Sequence, residues 1–214
     1  MFRFGLLLAL LAAASAFGDG RDYATRAEAL LALDSSDADQ RAEALAWIAN
    51  HGTPADGALL QKRLSDENGY VRNVAEQALW QLWSHSGDAE VDALLARGVE
   101  QMRAQQFDEA IATFSEVIRR NPDFAEGWNK RATVLFLAGE YRRSLADCDE
   151  VMKRNPLHFG ALSGYGQIYF QLEQYEKAIE YWQRALRVNP NLAGIESNIE
   201  AARELIAQRQ RHSA

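Results

Sequence analysis

The dipeptide Asn-Pro recurs at Asn121-Pro122, Asn155-Pro156 and Asn189-Pro190, equally spaced along the chain. A fixed period of about 34 residues marks a repeat architecture, in which one supersecondary unit buries its apolar face only against its neighbours. Other columns agree in chemistry when counted back from each Pro. Phe114, Cys148 and Trp182 form one, and Val117, Val151 and Ala185 another. Ala110, Ser144 and Ala178 are small, as are Gly98, Ala132 and Gly166, while Phe107, Tyr141 and Tyr175 are aromatic. Six columns in register over three units leave little freedom for any other fold.

The columns translate into helical hairpins. Proline cannot continue a helix and pushes the residue before it out of helical geometry, so Asn121, Asn155 and Asn189 each end one. Small residues in the first helix are expected to face Ala110, Ser144 and Ala178 in the second. The aromatic column falls at the turn between helices and plugs its end. The spacing predicts helices over 91–105, 107–120, 125–138, 141–154, 159–171 and 175–188. Residues 193–210 continue with Ile195, Ile199, Ala202, Leu205 and Ile206 on one face. That is the polar-backed cap that the end of a solenoid requires.

With these residues in place, the segment from about 91 to 192 resembles the tetratricopeptide repeat family. Trp128 stands in the family's Trp column, where the other two units carry Leu94 and Leu162. Leu135 and Tyr169 fit the next apolar column and Gln101 departs from it. The resemblance implies an all-α, right-handed α-solenoid of antiparallel hairpins. It also implies a concave wall built from the first helix of each hairpin, whose columns here are Leu95, Asn129 and Ser163, then Val99, Thr133 and Gln167, then Met102, Phe136 and Phe170. The last set offers a large apolar side chain in every unit, suited to an extended or helical peptide, with Asn129 and Gln167 as hydrogen-bonding groups. The competing reading packs these residues against the next repeat. One variant of the family grips a C-terminal carboxylate with Lys, Asn and Arg. The corresponding places here hold Leu95, Val99, Lys130, Gly160 and Gly164, so one cation remains and a carboxylate clamp is not expected.

Residues 17–88 carry a fainter period. The stretch from Leu33 to Arg41 can be laid over that from Leu64 to Arg72, and each copy runs from an acidic turn into an Arg that opens a helix. The segment resembles a degenerate pair of HEAT-type repeats. A plain four-helix segment with acidic helix starts fits the same residues. The expected organisation is therefore a leader at 1–16, HEAT-like helices at 17–88, three hairpins at 89–192 and a capping helix with its tail at 193–214, the two helical regions forming one continuous solenoid.

The leader is read from Arg3, the apolar run Phe4 to Ala14, and the small residues Ala14-Ser15-Ala16. The run is shorter than the roughly 20 residues that cross a bilayer, so a cleaved secretory signal and a bacterial periplasmic location are expected, without stable membrane insertion. The net charge of −7 is uneven: residues 17–88 hold 12 acids against 6 bases, and residues 89–214 hold 18 against 16. Without a basic stripe, nucleic acid is excluded as a partner. The single Cys148 leaves an oxidising compartment no intrachain disulfide to form.

No catalytic, metal or cofactor site is expected. His51, His85, His158 and His212 all fall in turns, junctions or the tail and are read as solvent-exposed, none at the spacing of a helical metal site. Cys148 is read as a core hydrophobe, and Asp147 and Asp149 as solvated surface. The expected role is a protein-binding adaptor or assembly scaffold. The alternative is a self-associating structural protein using the Trp-rich faces of Trp47, Trp80 and Trp83, so an oligomer stays open, and an enzyme is the least favoured reading.

Overall fold

A computed structural model describes residues 23–212. The expected leader, residues 1–16, lies outside them. All regular elements among the described residues are helical, and they divide into two compact units. One is built on the residues up to His85 together with Asn189–Asn191, the other on Ser86–Val188 and the residues from Leu192 onward.

The first unit contains α1 (Arg26–Ala32), α2 (Ala38–His51), α3 (Gly57–Lys62) and α4 (Gly69–Trp83). Its two long helices start ahead of Arg41 and Arg72, because a polar residue caps each. Asp37 accepts from the amide of Asp39, and Asn68 accepts from those of Tyr70 and Val71. Each Arg instead reaches back over its own turn. Arg41 Nη1 donates to the carbonyls of Ser35 and Ser36, and Arg72 Nη1 to those of Asp66 and Glu67, at the same offsets in both turns. Arg41 also clasps Asp66 with one edge of its guanidinium, Nε and Nη2 donating at 2.9 and 2.8 Å, where both side chains are buried. Burial pushes the Asp66 carboxyl up, but the Arg41 bonds outweigh it and hold it below its ordinary value. Behind this pair, Ala44, Leu45 and Ile48 of α2 and Val71, Ala75, Ala78 and Leu79 of α4 are fully or almost fully removed from water.

The second unit runs α5 (Ala89–Arg103), α6 (Phe107–Arg120), α7 (Ala125–Leu137), α8 (Tyr141–Arg154), α9 (Phe159–Gln171), α10 (Tyr175–Val188) and α11 (Ile195–His212). These bounds match the helices expected from the Asn-Pro period to within a turn's end. Helices pair as α5–α6, α7–α8 and α9–α10, each pair packs on the next, and α11 closes on α10. The unit is an α-solenoid of hairpins with a terminal cap: Ile195, Ile199 and Ala202 are buried, Leu205 and Ile206 half-buried.

The three hairpin turns are superimposable in sequence. Gln105, Gly139 and Glu173, each one period from the next, all adopt the left-handed conformation (φ 60, 78 and 57°). The next amide then bonds a carbonyl in the last turn of the helix, Gln106 to Gln101, Glu140 to Leu135 and Gln174 to Tyr169. Only the middle unit places Gly where that φ favours it.

Between paired helices the contacts differ from those expected at two positions. The backbone of Gly98 lies against the ring of Phe114 and that of Gly166 against the indole of Trp182: a Cβ on either would sit 2.5 or 2.3 Å from the nearest ring atom. In the middle hairpin Ala132 shares a buried cluster with the smaller Cys148. The expected approach to the small column is seen at Ser144, whose hydroxyl donates to the Ala132 carbonyl at 2.7 Å. Gly opposes a ring and Ala opposes a thiol, so volume is conserved across each hairpin.

Candidate functional site

The first helices α5, α7 and α9 lie next to one another, α5 on α7 and α7 on α9, and form one wall of the second unit. Along α7, residues 126, 129, 130 and 133 share a face by helical spacing. Of the nine residues expected to line the wall, Val99, Thr133, Phe136, Gln167 and Phe170 are half-buried, whereas Leu95, Met102, Asn129 and Ser163 are buried. The apolar row is therefore less open than expected, and its rings serve the hairpins. Phe136 packs on Tyr141 with centroids 5.6 Å apart, and Phe170 on Tyr175 at 5.4 Å and Trp182 at 5.7 Å. A ring at the end of each of these first helices meets the aromatic that begins the second, an aromatic contact that adds to simple area burial.

The wall also holds a buried charged cluster that sequence reasoning missed. Glu126 is fully buried, and donors from two repeats converge on its carboxylate. Lys130 Nζ lies 2.9 Å from Oε1. Asn129 Nδ2 donates to Oε2 at 3.0 Å, and His158 Nε2 lies 3.1 Å from the same oxygen. The His158 tautomer follows from its second contact. Its Nδ1 accepts the amide of Ala161 at 3.1 Å, so the proton sits on Nε2 and is donated to Glu126. Burial alone would raise the Glu126 carboxyl. The Lys130 ammonium and the His158 bond outweigh it and hold the group at about 2.

This geometry corrects the reading of His158 as a solvent-exposed turn residue. It is the N-cap of α9 and fully buried. His51, His85 and His212 are exposed. A signal was present in the repeat: Phe124 stands one period before His158 and Leu192 one period after, so the column is largely apolar. Asp147 is also corrected, from solvated surface to a buried partner. Both its oxygens accept from Arg131, at 2.7 and 2.8 Å, while a third nitrogen of Arg131 donates to Ser115 on α6. Asp149 is exposed and accepts from the Tyr165 hydroxyl. Cys148 is buried, and burial, aided by Asp147 and Asp149, pushes its thiol far above the ordinary range. Trp128 donates to the Pro122 carbonyl, with the guanidinium groups of Arg131 and Arg154 5.1 and 4.8 Å from its ring centre.

In the first unit, the Trp residues offered for self-association are half-buried and engaged within that unit. Trp80 meets Trp83 edge-on, and Trp47 stacks on His51 with Tyr23 at its edge. Leu31 and Tyr70 are the exposed large apolar side chains there among the described residues. Among the described residues, no helix is long and apolar enough to cross a membrane and no group of three His, Cys, Asp or Glu is placed to hold a metal ion.

Two tetratricopeptide-repeat family models match this chain, and they fall on the hairpins of the second unit. Residues 95–151 and 161–192 match the tetratricopeptide repeat. A TPR repeat-containing protein of Rhizobium etli is 32% identical over 108 residues, which are 50% of this chain and 53% of that relative. The chain thus spans about half the length of this curated relative. Among solved structures, the Sgt2 TPR domain from Aspergillus fumigatus superposes with a TM-score of 0.56 at 19% identity, covering 59% of this chain and 85% of that one. The first TPR of Spaghetti (RPAP3), bound to an HSP90 peptide of sequence SRMEEVD, gives 0.54 at 21% identity over 56% of this chain and 96% of that one. At these identities the structural likeness establishes the fold of the tetratricopeptide array.

Proposed function

We propose that this chain is a binding module which holds an extended protein segment along the α5, α7 and α9 wall, acting as an adaptor or assembly scaffold. The observation that carries this reading is the three-unit register of that wall. Val99, Thr133 and Gln167 recur at the repeat interval and keep part of their surface in water, so a chain laid across the repeats meets a partly exposed side chain in each. The related Spaghetti domain is described with a peptide bound, which supports a peptide as the class of ligand. The ligand's chemistry is read from the wall itself. At the places that grip a carboxylate in one variant of the family stand Leu95, Val99, Lys130, Gly160 and Gly164, and Lys130 already faces Glu126. An internal segment with apolar side chains therefore fits better than a chain terminus.

Thr133→Arg combined with Gln167→Arg tests the proposal. Both positions are half-buried in helices that tolerate Arg, so the far-UV spectrum and melting temperature should hold. Affinity for apolar peptides selected on the native protein should fall by at least about tenfold, the effect of roughly 1.4 kcal/mol. Unchanged affinity would place the binding surface elsewhere. Export to a bacterial envelope is part of the same proposal and rests on residues 3–16. It is checked by N-terminal sequencing of the protein from fractionated cells, with a chain starting at Phe17 in the periplasmic fraction as the expected result.

A further inference from the structure

The Glu126 cluster has the make-up of an occupied anion site. Three donors from two adjacent repeats, Lys130 Nζ, Asn129 Nδ2 and His158 Nε2, lie 2.9 to 3.1 Å from one carboxylate. One of the three is oriented from outside the cluster: His158 accepts the Ala161 amide at the start of α9, while Asn129 and Lys130 stand on α7 one turn along from Glu126. The carboxylate they surround belongs to the chain.

We propose that Glu126 is a specificity-determining residue: its carboxylate fills, from within the chain, a carboxylate site formed by Lys130, Asn129 and His158, and so makes the wall reject ligands that carry one. The proposal deepens the peptide-binding reading and rests on it only for the identity of the wall. The Lys130 side chain is 9% exposed and that of Glu126 is 0% exposed, so both partners of the ion pair are almost wholly removed from water. A carboxylate approaching from the groove meets a neutral pair, and its desolvation is not offset by an ion pair of its own. The two halves of the site come from different repeats, Glu126 and Lys130 from the second and His158 from the cap of the third. A free site of this kind would bind a carboxylate only while both repeats are packed.

Chemical rescue tests this without any peptide. Glu126→Ala removes the internal carboxylate and should lower the melting temperature of the full chain by about 6–20 °C, as expected for an unpaired buried charge. Sodium formate should restore at least about 3 °C of this in a saturable manner, with sodium chloride at the same ionic strength restoring none. Formate should not shift the wild type. Nor should it shift Glu126→Ala/Lys130→Met, in which both charges are gone. Equal melting of Glu126→Ala in formate and chloride overturns the proposal, including the case in which the variant is unfolded in both. A second measurement uses Glu126→Gln, which keeps the shape and removes the negative charge opposite Lys130. It should bind an apolar peptide ending in a free carboxylate at least about tenfold more tightly than the same peptide amidated, while the wild type does not distinguish them. Equal binding of the two peptides to Glu126→Gln counts against Glu126 as the determinant. If the formate effect appears and no peptide binds either protein, the carboxylate site stands and the peptide-binding reading fails.

Discussion

Burial and charge oppose each other at Glu126, and the sign of the result fixes how the protein responds to acid. A carboxyl held at about 2 against an ordinary 4.5 stabilises the folded state wherever the group is ionised in both states, above the unfolded value. That contribution is lost as pH falls from about 4.5 through 2, because the unfolded chain takes up the proton first. The shift corresponds to roughly 3 kcal/mol. Urea melts of the wild type and Glu126→Gln at pH 7, 4 and 2.5 isolate it, since other depressed acids such as Asp66 and Glu150 act equally in both proteins. The wild type should lead at pH 7, and the gap should narrow by about 2 kcal/mol or more at the lowest pH. A constant gap would remove charge from the account of the cluster. Single residues were the least legible scale in the sequence. His158 follows Asn155-Pro156 and reads locally as an exposed turn. Its buried partner is Glu126, 32 residues earlier, and local pattern carries no information about a partner at that distance.

At the scale of elements the sequence was nearly sufficient. The period located the six hairpin helices of the second unit, because Asn-Pro ends each second helix and the hairpin turn repeats the same left-handed conformation and bond. The exchange of volume between helices was not readable from the columns singly. Gly98, Ala132 and Gly166 look interchangeable until Phe114, Cys148 and Trp182 are placed opposite them. That pairing predicts a coupled substitution. Cys148→Phe alone forces a ring against the Ala132 methyl and should destabilise by about 1–3 kcal/mol. Adding Ala132→Gly recreates the Gly98–Phe114 arrangement and should recover at least about 1 kcal/mol beyond additivity, even though Gly in a helix costs up to about 1 kcal/mol by itself. A double-mutant cycle by chemical denaturation gives the coupling. A value near zero would mean that each column tolerates its neighbour independently. In the first unit the fainter period is likewise real in geometry, carried by Arg41 and Arg72 on equivalent carbonyls. The helices begin ahead of the arginines because the capping residues, Asp37 and Asn68, precede them.

For the whole molecule, Cys148 supplies a single chemical reporter placed in the second unit. Its thiol is buried between α7 and α9 with Ala132, Tyr165 and Ile168, and burial and its two acidic neighbours disfavour the reactive thiolate. Reaction with a thiol reagent therefore requires the hairpins to open, by local fraying or by global unfolding. At neutral pH without denaturant, labelling should be at least about a hundredfold slower than for the unfolded chain, and its rate should climb with urea in parallel with the loss of helical signal from this unit. The packing of a repeat array on nearest neighbours makes the middle hairpin the one with a hairpin on either side. Removing the cap contact by Ile199→Ala should destabilise α10–α11 first. It should accelerate Cys148 labelling less than Ala132→Leu, which strikes the thiol's own pocket. Equal acceleration by the two substitutions would mean that the array opens as one cooperative block, so that the stability of any hairpin is set by the whole of α5 to α11 and not by the pair of helices around it.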